Sequence, residues 1–287
     1  MTWVIFATLT ALFESLKDVT SKRGLNTLDE YVVAWSMIFF TLPLMLPLLG
    51  IIERPELGEN FIWALLAGGS LNIVSMLLYI RALKLADLSL AVPLITFTPL
   101  FLLVTSPIIV GEIPTPTDAV GIFCIVSGSY LLNLKHKAQG YLAPFKALVN
   151  NKGSQVMLLV AFIWSFSSTI DKVGVQNSSP TFWAIAIYIY IATGMLPIML
   201  LKSPKALQQV SQNLPTLVPI GLLQGLGVLF QMQAINLTLV AHVISIKRMS
   251  ALLSVIWGHL IFKEKGLRER MLGATIMVMG VLLITLL

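Results

Sequence analysis

The chain has 287 residues, 57% of them hydrophobic and only 11% charged, with a mean hydropathy of +0.89. A soluble domain carries roughly 25% charged residues, so the composition excludes a water-soluble globular protein. The net charge of +6 is spread over short connections, which points to membrane orientation rather than to nucleic acid as a partner.

One bilayer crossing needs about 20 mostly apolar residues. Apolar runs fall near 2–19, 31–52, 61–80, 88–110, 117–134, 154–171, 181–201, 216–236, 239–262 and 267–287, and they predict an all-α integral membrane protein of ten transmembrane helices. The first run, "TWVIFATLTALF", precedes the first cation, Lys17, so the basic n-region of a cleavable signal is missing and the span is expected to stay in the mature protein. Glu14 lies well inside this span and Asp18 follows at its end. Pro43 and Pro47 interrupt the second run, and Pro93, Pro99 and Pro107 the fourth. In the fifth run Cys124 is the chain's single cysteine, so no intrachain disulfide can form. Gly221 and Gly225 on the eighth run form a small-xxx-small pair that permits close helix approach. His136, His242 and His259 have no metal-ligand spacing.

Between the fifth and sixth runs lies the longest connection, the basic "KHKAQGYLAPFKALVNNKG", and the halves on either side look like copies. A shift of 150 lays Ala11, Ser15 and Lys22 on Ala161, Ser165 and Lys172. A shift of 152 lays Ala82 on Ala234, Glu112 on Glu264, Gly121 on Gly273 and Gly128 on Gly280. The predicted organisation is therefore a five-helix repeat over 1–134, a loop over 135–153 and a second repeat over 154–287. Five is odd, so the second copy enters the membrane inverted, a transporter architecture whose substrate site lies near the midplane between copies. Of the 19 Lys and Arg, fifteen fall in or beside connections 1–2, 3–4, 5–6, 7–8 and 9–10, against Arg54 and Lys172 in the alternate ones. The positive-inside rule makes the first set cytoplasmic and places both termini outside.

Within "HVISIKRMSALLSVIWGHLIF", Lys247 and Arg248 stand side by side about 12 Å from the nearer end of the ninth span. One such cation at the bilayer centre costs about 2.5–3.5 kcal/mol or more, which an inward face or a water-filled cavity relieves. An ion pair locking helices together would explain them; a substrate or ion site explains better why two adjacent cations need more than one partner. Glu14 is a candidate partner for ion pairing or coupling, with Asp18 and Asp171 as further acids. At the 152-residue offset Asn72 falls on Gln224, Tyr79 on Gln231 and Thr96 on Arg248. Each of the first two pairs is seven residues from the next, two turns along one helix face. Asn72, Tyr79, Thr96, Gln224, Gln231, Lys247 and Arg248 are thus the candidate substrate-binding residues, with hydrogen bonding between helices as the plainer reading of the stripes. No H-E-x-x-H, G-x-S-x-G or phosphate-binding loop occurs, so neither catalysis nor a cofactor or metal is expected.

The stretches "SLKDVTSKRGL", "YIRALKLADLSLAVPL", "GE" at 111–112, "WSFSSTIDKVGV", "SIKRMSALLSVIWGHLIFKEK" and "GATIMVMGVLLI" resemble the EamA type of the drug/metabolite transporter superfamily over nearly the whole chain. The resemblance implies a central cavity lined mainly by spans three, four, eight and nine. It also implies transport of a small metabolite, often export of amino acids or related compounds, powered by ions or exchange. The expected function is a plasma-membrane secondary transporter, possessing a small-molecule substrate, surrounding lipid and a proton or exchange couple. A flippase for a lipid-linked head group and a non-transporting membrane scaffold or enzyme are the alternatives. Family members are frequently described with cytoplasmic termini, whereas the loop charges here place the termini outside.

Overall fold

In lipid, every backbone N–H and C=O has to be satisfied within its own segment, which helices do and open strands do not. The computed structural model describes residues 1–25, 28–85, 93–133, 142, 146, 151–262 and 267–286, of which 22–25, 83, 84, 133, 258–262 and 267–270 are described by their backbone. Among the described residues no strand occurs. The first half holds α1 (Thr2–Leu25), α2 (Glu30–Phe39), α3 (Leu42–Met45, running into a 3-10 turn at Leu46–Gly50), α4 (Phe61–Leu85), α5 (Thr98–Val110) and α6 (Pro116–Asn133). The second half holds α7 (Lys152–Gln176), α8 (Pro180–Lys202), α9 (Ala206–Gln212), α10 (Leu214–Leu237), α11 (Val240–Lys247), α12 (Ser250–Phe262) and α13 (Leu267–Leu286).

Seven helical stretches among the described residues are long and apolar enough to cross a membrane, and Pro116–Leu132 and Met271–Leu286 are shorter apolar helices. Helix α1 is long enough too, at 24 residues, but carries Glu14, Lys17 and Asp18 inside it. The connection 135–153 lies, but for Leu142, Lys146 and residues from 151 on, outside the described residues, as do Lys263, Glu264 and His136. The second apolar run is broken where its prolines require: α2 ends at Phe39 and the chain resumes with Pro43 and Pro47 in the first turns of α3 and of the 3-10 segment. The Thr41 hydroxyl donates to Met37 O (2.9 Å) and Gly221 O (3.0 Å) at this break, tying it to α10.

The halves superpose in sequence as the offsets require. Adding 152 to Thr98–Val110 gives 250–262, the bounds of α12, and adding it to Phe61–Leu85 gives 213–237, one residue from α10. Adding 150 to Thr2–Leu25 gives 152–175, against Lys152–Gln176 for α7. Contacts are reciprocal as well: α1 packs on α10 as its counterpart α7 packs on α4, and α1 meets α12 as α7 meets α5. Between α6 and α13 the reciprocity reaches single residues. A Cβ on Gly128 would lie 2.5 Å from Gly273 O, and one on Gly273 would lie 2.7 Å from Gly128 O. A Cβ on Gly280 would lie 2.5 Å from Gly121 O, and one on Gly121 would lie 2.9 Å from Gly280 O. The four glycines let two backbones touch in antiparallel fashion, the small-residue packing that membranes favour. Gly128→Val should therefore destabilise the protein by about 1–3 kcal/mol or more, because the atom it meets is backbone that cannot turn aside. Thermal unfolding in detergent checks this, and an unchanged midpoint would show that the helices separate freely.

Candidate functional site: charges gathered at a broken helix

Spans four and nine are each interrupted at aligned positions. Residues 93–95 are helical, Thr96 and Phe97 form a turn, and α5 starts at Thr98; likewise α11 ends at Lys247, Arg248 and Met249 form a turn, and α12 starts at Ser250. The hydrogen bonds repeat across the copies. Thr96 N–H donates to Pro93 O (3.3 Å), Phe97 N–H to Leu94 O (3.2 Å) and Phe101 N–H to Phe97 O (3.3 Å). Their counterparts run from Arg248 to Ser245 O (3.0 Å), Met249 to Ile246 O (2.8 Å) and Leu253 to Met249 O (3.1 Å). Bonds to the third residue back tighten the helix and re-aim its axis. In the first copy Pro93 and Pro99 flank the turn and account for it, since proline supplies no N–H. The second copy has no proline there; it follows the geometry of its partner.

The second break sets Lys247 and Arg248 among acids from α1. Lys247 Nζ lies 3.6 Å from Glu14 Oε2 and donates to Gln231 Oε1 at 2.9 Å. Glu14 Oε1 is 2.7 Å from Lys17 Nζ, which is in turn 3.2 Å from Asp18 Oδ1. Lys17 and Gln231 are buried, and Asp18 is half exposed, so one flank of the cluster is wet. Arg248 differs from its neighbours. Its Nε is buried and has no hydrogen-bond partner among the described residues.

The other sequence candidates divide between this cluster and the helix seams. Gln231 joins the cluster. Gln224 donates through Nε2 to the Tyr188 hydroxyl of α8 (2.6 Å), while its Oε1 is buried without a partner among the described residues. Asn72 is turned towards α7, donating to Ser167 Oγ (2.6 Å) and to Gly68 O (2.9 Å). The Tyr79 ring lies 5.8 Å from that of Trp164 on α7, whose Nε1 donates to Ser75 Oγ at 3.0 Å. Thr96 is buried at its break, where its hydroxyl donates to Pro93 O at 2.6 Å. Asp171 sits inside α7, not at its end, and accepts from Trp183 Nε1 at 3.0 Å rather than pairing with Lys247. Lys17 and Lys172, which by sequence lie in or beside connections, are both buried within helices. The cluster member least visible in the sequence is Lys17, whose signal was its place one turn after Glu14.

Among the described residues no group of histidine, cysteine or acidic side chains could hold a metal ion. The model of the EamA-like transporter family matches residues 1–134 and again 151–286. The chain belongs to the EamA-like transporter family. A solved structure described only as "Crystal structure of protein" superposes with a TM-score of 0.78 at 15% identity, covering 100% of this chain and 99% of that one. At that identity the likeness shows the fold alone. No curated protein matches the sequence. This EamA-like transporter is thus a multi-pass membrane protein of the drug/metabolite transporter type, with a small-molecule substrate and a lipid surround.

Proposed function

We propose that this EamA-like transporter is a secondary carrier that moves a small metabolite bearing an anionic group by alternating access. It has ten spans in two inverted repeats, 1–134 and 154–287, joined by the basic loop 135–153. The observation that carries the reading is Arg248: a guanidinium at a helix break, with a buried Nε that has no hydrogen-bond partner among the described residues, beside a lysine already paired with Glu14 and hydrogen-bonded to Gln231. Leaving such a donor unmade costs free energy until a ligand accepts from it, and a guanidinium fork suits carboxylate or phosphate. Discontinuous helices meeting at an internal repeat are the usual setting for such a site. Glu14, held between two lysines, is the group through which a proton or counter-substrate would couple.

The test is uptake into proteoliposomes loaded with carboxylated metabolites, phosphorylated metabolites or their uncharged amides. Counterflow of the anionic set alone is expected. Equal or better movement of the amides would remove the anion from the reading. Orientation is checked separately. A cysteine at exposed Lys146, in a Cys124→Ala background, should resist impermeant thiol reagents in intact cells, because the cations of connections 1–2, 3–4, 5–6, 7–8 and 9–10 mark that face as cytoplasmic.

A further inference from the structure

The end of the bundle where α1 begins and where α7 and α10 finish holds a second buried polar group that substrate binding does not use. Lys172 Nζ lies 3.1 Å from Glu112 Oε1. It also donates to Ile235 O (2.6 Å) and Thr238 O (2.9 Å), at the C-terminus of α10. Glu112 Oε2 accepts from Ser106 Oγ (2.9 Å) and from the N–H of Val240 (2.8 Å), the first residue of α11. One lysine–glutamate pair therefore closes two helix ends at once, each with the sign of charge that the helix dipole favours. Beside it His242 Nε2 lies 3.0 Å from Asp118 Oδ1, its Nδ1 lies 3.1 Å from Thr238 Oγ1, and its ring stacks on Trp3 at 5.5 Å.

Helix α11 is eight residues long, about 12 Å. Its first turn is held by Glu112 and Asp118; its last residue is Lys247, and the break at Arg248–Met249 follows. A short stiff rod between a latch and a hinge moves as a unit. The four latch side chains, Lys172, Glu112, His242 and Asp118, are only 9–13% exposed, whereas Asp18, about 24 Å along α1 from that end, is 50% exposed. The conformation is sealed at the latch and wetter beyond the cluster.

We infer that α11 is a gate lever: Glu112–Lys172 and Asp118–His242 latch it shut, and pivoting at Arg248–Met249 opens the substrate cluster to the face where α1 begins. The inference rests on the alternating-access reading above. A polar latch suits a gate better than an apolar seam would. The attraction within a buried ion pair is largely offset by lost hydration, so water entering an open gate restores what the broken pair gives up. The lever also links the two ends chemically, since an anion on Arg248 acts at the hinge of the rod whose other end is latched.

Ser245 is the reporter. It is fully buried on α11, its hydroxyl donates only within the helix to Ala241 O, and cysteine is nearly its shape. In a Cys124→Ala background, Ser245→Cys should label slowly with an impermeant thiol reagent added from the latch face of oriented vesicles. Adding Glu112→Gln, or independently Lys172→Met, should raise that rate on the order of tenfold, the loss of one charge-assisted contact shifting a two-state equilibrium. His242→Phe keeps the stack on Trp3 and should raise it less. Labelling that stays unchanged in a folded latch variant overturns the gate, as does labelling that rises equally from both faces. If neither latch variant folds, the contacts are structural staples and the gate falls. Labelling needs no substrate, so a responsive latch without anion transport would keep the lever and remove the anion reading; the reverse pattern would do the opposite.

Discussion

Arg248→Lys should lower transport of the anionic substrate by roughly 10–100-fold while the folded protein accumulates as before. Lysine keeps the positive charge at the break, so the electrostatic balance with Glu14 survives. What it loses is the planar fork whose Nε is buried and unpartnered among the described residues, and with it the second hydrogen bond of a bidentate contact, which contributes about 1.5–3 kcal/mol when one partner is charged. The loss should appear as weaker substrate dependence of uptake, because the side chain meets substrate and not the chemistry of a bond. Lys247→Arg should do less, since Lys247 already has two protein partners. Uptake measured against expression level decides between the roles. Normal transport by Arg248→Lys, together with failure of Arg248→Ala to accumulate in the membrane, would make the arginine a structural counter-charge.

How far the sequence discloses this molecule depends on whether a feature is periodic or paired. Helix content and the duplication are legible because both are repeated signals, and Glu112, Gly121 and Gly128 recur at one constant distance. The break at Arg248–Met249 is legible only through that duplication: nothing near 248 stops a helix, but its counterpart Thr96 stands between Pro93 and Pro99. The polar stripes illustrate the limit. Period alone places Asn72 and Tyr79 on one face, yet it cannot say which helix that face meets. The fold turns Asn72 onto Ser167 and Tyr79 onto Trp164, while it turns Gln231 onto Lys247. Lys172 is the complementary case. A cation beside a span boundary reads as a loop charge until the fold places Glu112, from the connection after α5, within 3.1 Å.

The strongest effect on stability should come from Glu14→Gln. Glu14 is shared by two lysines, at 2.7 Å from Lys17 and 3.6 Å from Lys247. Removing its charge leaves both ammonium groups in a largely dry cluster with Asp18 alone, among the described residues, to answer them. Breaking a buried pair from one side costs about 3–5 kcal/mol. Here the lower end applies, because Glu14 and Lys247 side chains keep 21% and 20% exposure and water screens part of the repulsion. The converse follows from the same geometry. Adding Lys247→Gln to Glu14→Gln removes the surplus cation, so the double variant should recover part of the loss. A cycle of the four proteins, unfolded in detergent, should give a coupling of about 0.5–3 kcal/mol, the range for residues in contact. Strict additivity would mean that the 3.6 Å separation carries no energy. Lys247 would then be held by Gln231 alone among the described residues, and its positive charge would be open to a second anionic group of the substrate.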